Sequence, residues 1–481
     1  MTTSLREGAI AERLAERLAE RMSETLAAET ANSGELVSVT LPLPLPLSSM
    51  DPVTLFEAAV ETDERILWEQ PSRGLSMVAV GVAAQITAEG PNRFENVATA
   101  WRKISAAAVA PDPGACPVRA PVSLGGFSFS AGDGATGNGR ESAWGDFPEA
   151  LLTVPRLLFV SQDDSSWLIA SAISGEHSGR QSAADELTTV LARAEAGRDG
   201  ASAPATLTLS EAITASEWKR AVASIIGEIE STELRKLVLA RHVHANSDRP
   251  LQIGAALRRL RSRYQRCTTF AFARGESCFI GATPERLVRL DDRTVRIDCL
   301  AGTAARGASK AEDAALGKAL LADEKERSEH ALVVEALRES LAPISTALSI
   351  PERPRLLAMA NVQHLHTPVE ATLAADEDVL GLAARLHPTP AAGGVPQRMA
   401  CDLIGSYEPF DRGWYAGPVG WTDVRGDGEF VVAIRSALLR GRDAHLYAGC
   451  GIVAGSDPGR EYEESRMKLE PMLWAMNGAN G

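Results

Sequence analysis

Hydrophobic and polar positions along the chain change their period several times. Between residues 8 and 30 the repeated AERL places Ile10, Leu14, Leu18, Met22 and Leu26 four apart, among Glu and Arg. This spacing predicts one amphipathic helix packed on the body of the protein, because a strict four-residue step drifts off a coiled-coil heptad. The following LPLPLPLSS cannot continue a helix and reads as an extended linker. Residues 1–48 are therefore an N-terminal extension. From about residue 50 the pattern turns to strands broken by Gly and Pro, as in RILWEQPSRGLSMVAVGVAAQI and APVSLGGFSFSAG. A loop-rich stretch, EAGRDGASAPATLTLS, divides this body into residues 49–205 and 206–478. The second half mixes strands (KLVLARHVHA, TVRIDCLAG, HLYAGCGIV) with helices, without regular βαβ alternation. The expected class is α+β, with two large antiparallel sheets packed together and flanked by helices.

Two of the helical stretches carry acid on their apolar side. In LADEKERSEHALVVEAL, Glu326 and Glu329 are three apart and continue into the stripe of Leu332, Val333, Ala336 and Leu337. In GREYEESRMKLEPML, Glu461 and Glu464 repeat the spacing, and Glu464 shares its side with Met467, Lys468, Pro471 and Met472. A single inward-leaning Glu is ordinarily a half-exposed boundary residue. Two such pairs facing each other would repel unless a cation lay between them, and an oxygen-only ligand set suits Mg²⁺. Lys236, at the start of KLVLAR, shares a strand face with Val238 and Ala240; if buried there it is a candidate base. Glu285, in GATPERL, follows Thr-Pro at a strand break and is either loop decoration or a positioned acid.

Composition narrows the field. A chain of 481 residues with 45% hydrophobic content can bury a large core, and a net charge of −14 disfavours nucleic acid and anionic membranes. The same charge would repel an anionic substrate unless local cations or a metal overrule it. No run of 18 apolar residues predicts a membrane span, and the N-terminus lacks a signal core. Six scattered cysteines without a C-x-x-C suit free thiols in a reducing cytoplasm. GDGATG, residues 132–137, matches a dinucleotide fingerprint but continues into Asn138 and Gly139 rather than a helix, so it reads as a hairpin loop. His242 and His244, and likewise His364 and His366, lie two apart without further ligands spaced to complete a zinc site.

Ten strings resemble the chorismate-utilising enzymes, and they run in family order from about residue 230 to 475. Among them are KLVLAR, FIGATPERLV, CLAGTAARG, DEKERSEHALV, LHPTPAAGGVP, VVAIRSALL, LYAGCGIVAGSDP and EYEESRMKLEPML. A weaker match reaches back to LWEQP near residue 67. The family includes isochorismate, salicylate, anthranilate and aminodeoxychorismate synthases. The resemblance implies the fold of the anthranilate synthase large subunit and Mg²⁺ held by Glu329 and Glu464, with Glu326 and Glu461 in support through water. It implies chorismate contacts from Gly302, Thr303, His364, Ala391, Tyr415, Arg435, Gly449, Gly451 and Lys468. A lysine at position 236 resembles the isochorismate and salicylate synthases rather than the amine-transferring members, so no glutaminase subunit is implied. In that pattern Lys236, uncharged, deprotonates the water that attacks C2, and Glu285 protonates the departing C4 hydroxyl. HPTPAAGG resembles the isochorismate synthase form, whereas salicylate synthases tend to threonine in the region of Ala391. The implied enzyme is a cytoplasmic monomer, an isochorismate synthase, with salicylate synthase as the alternative. Its product would feed menaquinone, catecholate siderophore or salicylate-derived routes.

Overall fold

Leu67 and Trp68 are neighbours on one strand and are both fully buried, in different apolar cores. A strand covered on both faces needs a layer on each side, and the chain supplies them. The computed structural model describes all residues except 1, 29–33, 45–48, 63, 112–113, 132–141, 176, 198–204, 361 and 479–481. The GDGATG motif and the centre of the stretch dividing the halves therefore lie outside the described residues. The strands form one sheet of 12 and one of 10, with antiparallel pairing throughout the named strands, in agreement with the expected α+β class. One core holds side chains from both sheets, including Trp68, Leu124, Phe270 and Phe430. The other lies between the first sheet and its helices, and includes Leu18, Phe56, Leu187, Leu257 and Met472.

Both sheets draw on both halves of the sequence. In the first, Thr268–Arg274 pairs with Glu64–Gln70. In the second, Pro418–Asp423 pairs with Val122–Phe127. The N-terminal residues join this framework. Thr2–Ala28 is a helix whose Leu14, Leu18 and Met22 are buried, as the four-residue period predicts. Leu36–Pro42, which takes in the first two residues of the LPLPLPLSS run, is the edge strand of the first sheet, paired with Ser165–Ile173. Its proline stands at the strand end, where a missing N–H costs least.

The two acidic stretches are helices Glu324–Leu341 and Pro458–Asn477. Asp323 caps the first by accepting the Glu326 N–H at 3.1 Å, and Asp457 caps the second through Gly459 and Arg460. The helix Glu324–Leu341 packs on the strand Thr294–Ala305, while Pro458–Asn477 packs on Asp443–Ile452. Asp443–Ile452 in turn pairs with Lys236–Ser247, so lysine strand and acid helices converge on one cavity.

Candidate active site

Lys236 is the first residue of its strand, paired with Val395 on one neighbouring strand; on the other, Gly451 pairs with Val238, and the Lys236 side chain, 1% exposed, passes over that glycine. Its Nζ lies 2.8 Å from Glu329 Oε1. Glycine at 451 makes that approach possible: a Cβ there would fall on Glu329 Oε1 and within 2.6 Å of Lys236 Cε. Thirteen of the fifteen residues singled out from sequence line the same cavity. They are Lys236, Glu285, Gly302, Thr303, Glu329, His364, Ala391, Tyr415, Arg435, Gly449, Gly451, Glu464 and Lys468. The remaining two, Glu326 and Glu461, stand outside the lining and share Lys325, whose Nζ is 3.2 Å from Glu326 Oε1 and 2.8 Å from Glu461 Oε1.

Irregular backbone aims several of these groups. Gly302, at φ +80°, interrupts the register between Thr294–Ala305 and Val362–Leu373, a bulge that turns the Thr303 N–H onto Glu326 Oε2 at 3.1 Å. His364 on the partner strand sets Nδ1 3.2 Å from both Thr303 Oγ1 and Gly302 O, and burial pushes its pKa down to about 3, keeping the ring neutral. Ala416 and Arg435 both occupy the left-handed region, at φ +61° and +51°, which is uncommon for residues with a side chain and here flanks the pocket. The side chains of Arg435 and Tyr415 are buried without a hydrogen-bond partner among the described residues. Burial pushes Tyr415 up to about 12, so it remains a hydroxyl donor. Lys468 Nζ lies 2.6 Å from Glu464 Oε1 and donates to the Gly449 carbonyl at 2.8 Å.

Glu285 occupies the two-residue step by which the chain leaves the strand Ser277–Thr283 of the first sheet and enters Arg286–Asp291 of the second. Its backbone is clamped: its N–H donates to Thr283 Oγ1 at 3.2 Å, its carbonyl accepts from Val432 at 3.0 Å, and Thr283 Oγ1 donates to Val432 O at 2.7 Å. Its carboxyl has no hydrogen-bond partner among the described residues. Burial raises its pKa to about 7, against the pull of Lys236, Lys468 and Arg435, so near neutrality it still holds a proton in part. The Lys236 side chain, by contrast, faces Glu329 at 2.8 Å within the same cavity.

The carboxylates fit a hard divalent cation. Glu329 and Glu464 each meet one lysine, and neither carboxylate has another hydrogen-bond partner among the described residues. Burial raises the carboxyl pKa of Glu326 and Glu461, and their glutamate neighbours push the same way. Burial of like charges is the penalty a bound cation relieves. Cys450 Sγ, with oxygens of Glu461 and Glu464, forms a group whose atoms lie within 4.8 Å of one another. Its thiol, however, donates to the Glu461 carbonyl at 3.2 Å and is raised well above its usual range, chiefly by burial. That leaves an oxygen site. His242 is instead 3.0 Å from His445, and His244 is 2.8 Å from Asp443; no three-ligand group containing them occurs among the described residues.

Tyr447 and Arg412, which sequence reasoning missed, also line the cavity. Tyr447 stacks on Tyr415 with ring centroids 5.1 Å apart and accepts from Trp144 Nε1 at 3.1 Å. Its position two residues before Gly449, on the same strand face, was the available signal. Arg412 braces the floor through buried Glu408 and the carbonyls of Ala392 and Val238.

Lysine and arginine gathered in a pocket of a protein with net charge −14, around an acid still partly protonated at pH 7, define an enzyme for a small carboxylate substrate. The chain belongs to the family described as chorismate binding enzyme, which it matches over residues 21–477. It is 36% identical over 440 residues to the salicylate biosynthesis isochorismate synthase of Pseudomonas aeruginosa, across 90% of each chain. It is 33% identical over 439 residues to the isochorismate synthase MenF of Bacillus subtilis, across 90% of this chain and 92% of that one. Its fold superposes on the menaquinone-specific isochorismate synthase MenF of Escherichia coli with a TM-score of 0.78 and 26% identity, covering 96% and 99% of the two chains. Anthranilate synthase component I of Streptococcus pneumoniae shares the fold alone, at a TM-score of 0.69 and 22% identity, covering 84% of this chain and 93% of that one.

Proposed function

We propose that this enzyme converts chorismate to isochorismate, with Lys236 as base and Glu285 as acid. The observation that carries the reading is the buried Lys236 sharing one cavity with a Glu285 whose pKa is raised to about 7. Lys236 takes a proton from water, and the oxygen bonds to C2 of the ring. The ring double bonds shift, the C4–O bond breaks, and Glu285 protonates the departing hydroxyl, which leaves as water. One water enters and one leaves, so substrate and product are isomers. Arg435, Tyr415 and Lys468, with the backbone at Gly449 and Gly451, bind the substrate carboxylates; Gly302, Thr303, His364 and Ala391 shape the remaining wall. Glu329 and Glu464 would hold Mg²⁺, with Glu326 and Glu461 in support. Once bound, the ion would supply positive charge for a substrate carboxylate. Every lining residue falls between 236 and 468, which supports residues 206–478 as the catalytic half and 49–205 as its structural complement. The proposal includes a cytoplasmic monomer without a glutaminase subunit; no described helix is long and apolar enough to cross a membrane.

The test is to incubate the protein with chorismate and Mg²⁺ and separate the products. Isochorismate alone is expected. Salicylate with pyruvate would select a salicylate synthase, anthranilate in the presence of ammonia an amine-transferring enzyme, and no product would remove the catalytic reading. In the same assay, Glu329→Gln should raise the Mg²⁺ needed for half-activity by at least about tenfold, because a ligand charge is lost. An unchanged titration would place the ion elsewhere.

A further inference from the structure

The four glutamates of the two helices do not stand in equivalent surroundings. Glu329 and Glu464, the inner pair, each meet a lysine from the cavity wall, Lys236 at 2.8 Å and Lys468 at 2.6 Å. Glu326 and Glu461, the outer pair, come from different helices and share a single ammonium. Lys325 is the residue before Glu326, so its side chain can cross the gap to the second helix without rearranging its own. Glu326 is engaged on both oxygens, Oε1 by Lys325 and Oε2 by the Thr303 N–H. Glu461 is 2% exposed and receives Lys325 on Oε1 at 2.8 Å. Four carboxylates therefore face three lysines, and only the inner pair lines the cavity.

We propose that Lys325 is the resident counter-cation of this cluster: it fastens the two helices through Glu326 and Glu461 and, by occupying the outer carboxylates, restricts the cluster to one divalent ion. The inference rests on the reading that Glu329 and Glu464 hold the metal. It makes Lys325 a positioning residue, since it touches neither substrate nor reacting atoms. Its single charge serves where a second divalent ion would otherwise be drawn in. Without it, four carboxylates, two buried and two half-buried, would face two lysines, and the local field would favour additional cations.

The experiment is Mn²⁺ binding to the full-length protein, with stoichiometry and affinity read by electron paramagnetic resonance and thermal midpoints measured with and without Mg²⁺. Wild-type protein and Lys325→Arg should bind one ion with equal affinity. Lys325→Met should bind two, the first at least about tenfold more tightly, and its metal-free midpoint should fall below wild type and recover on adding Mg²⁺. The double variant Lys325→Met with Glu326→Gln, which deletes one charge of each sign, should return to one ion. The double variant also guards against a poorly folded single one. A Lys325→Met protein that melts lower but still binds one ion at wild-type affinity would show a merely structural lysine and overturn the proposal. A wild-type protein that binds no Mn²⁺ would instead remove the metal reading on which the proposal rests.

Discussion

Lys236→Ala should lower turnover of chorismate by about 10²- to 10⁴-fold, the range supplied by a positioned general base. Substrate binding should survive, because Arg435, Tyr415 and Lys468 remain in place on other segments of the wall and on the C-terminal helix. Product formation by stopped assay, with chorismate affinity from fluorescence titration, separates the two effects. The substitution also leaves Glu329 without the cation it meets at 2.8 Å, so the pocket keeps a buried, unpaired carboxylate. Mg²⁺ affinity should therefore rise in this variant while turnover falls. Undiminished turnover would remove Lys236 from the chemistry, and a fall in Mg²⁺ affinity would mean that its contact with Glu329 is not a competing one.

Glu285→Gln carries the second large effect, a loss of about 10²- to 10⁴-fold in turnover, since an amide cannot hand a proton to the leaving oxygen. The pH dependence has a definite sign. The folded-state pKa of about 7 lies above the usual 4.5, so the acid form is present below about 7 and is lost as pH rises through it. Wild-type kcat/KM should accordingly fall on the alkaline side of about pH 7, and the residual activity of Glu285→Gln should lack that limb. Stability follows the same linkage. A raised carboxyl pKa contributes stability that is fully present below about pH 4.5 and lost as the pH passes 7. At about pH 8 the wild type holds a buried charge that the amide does not, so Glu285→Gln should melt higher by roughly 1–4 °C. At about pH 5, below the folded-state value, the two midpoints should converge. A variant that is slower but equally pH-dependent, or less stable on the alkaline side, would count against Glu285 as the proton donor.

The parts of the site that repeat at helical spacing were legible in the sequence. Glu326 with Glu329, and Glu461 with Glu464, stand on inward stripes because three residues is nearly one turn, and local spacing alone determines that. Lys236 was legible as a residue on a strand face, but its contact with Glu329 joins positions far apart in the chain and depends on how a helix lies across a sheet. Both residues were therefore legible one at a time, but their 2.8 Å contact was not. The same reason hides Lys325: nothing in DEKERSEH indicates that its lysine reaches Glu461 on another helix. Glu285 could be seen to sit at a strand break; that the break is the crossing between the sheets, where its carboxyl finds no partner among the described residues, is a property of the assembled layers. Period-two alternation was a weak guide where strands are covered on both faces, as at Leu67 and Trp68. The edge strand Leu36–Pro42 was obscured by the proline run behind it, which suggested a tether.

The sharing of both sheets by the two halves governs how this protein must be made. Glu64–Gln70 waits for Thr268–Arg274, and Val122–Phe127 waits for Pro418–Asp423, far later in synthesis. Contacts this distant in sequence slow folding and leave unpaired strand edges open to aggregation while the chain is still growing. The residues before the cavity are therefore no detachable appendage: without them the later strands would present two raw sheet margins to water, and gain and loss of structure should be shared across the whole chain.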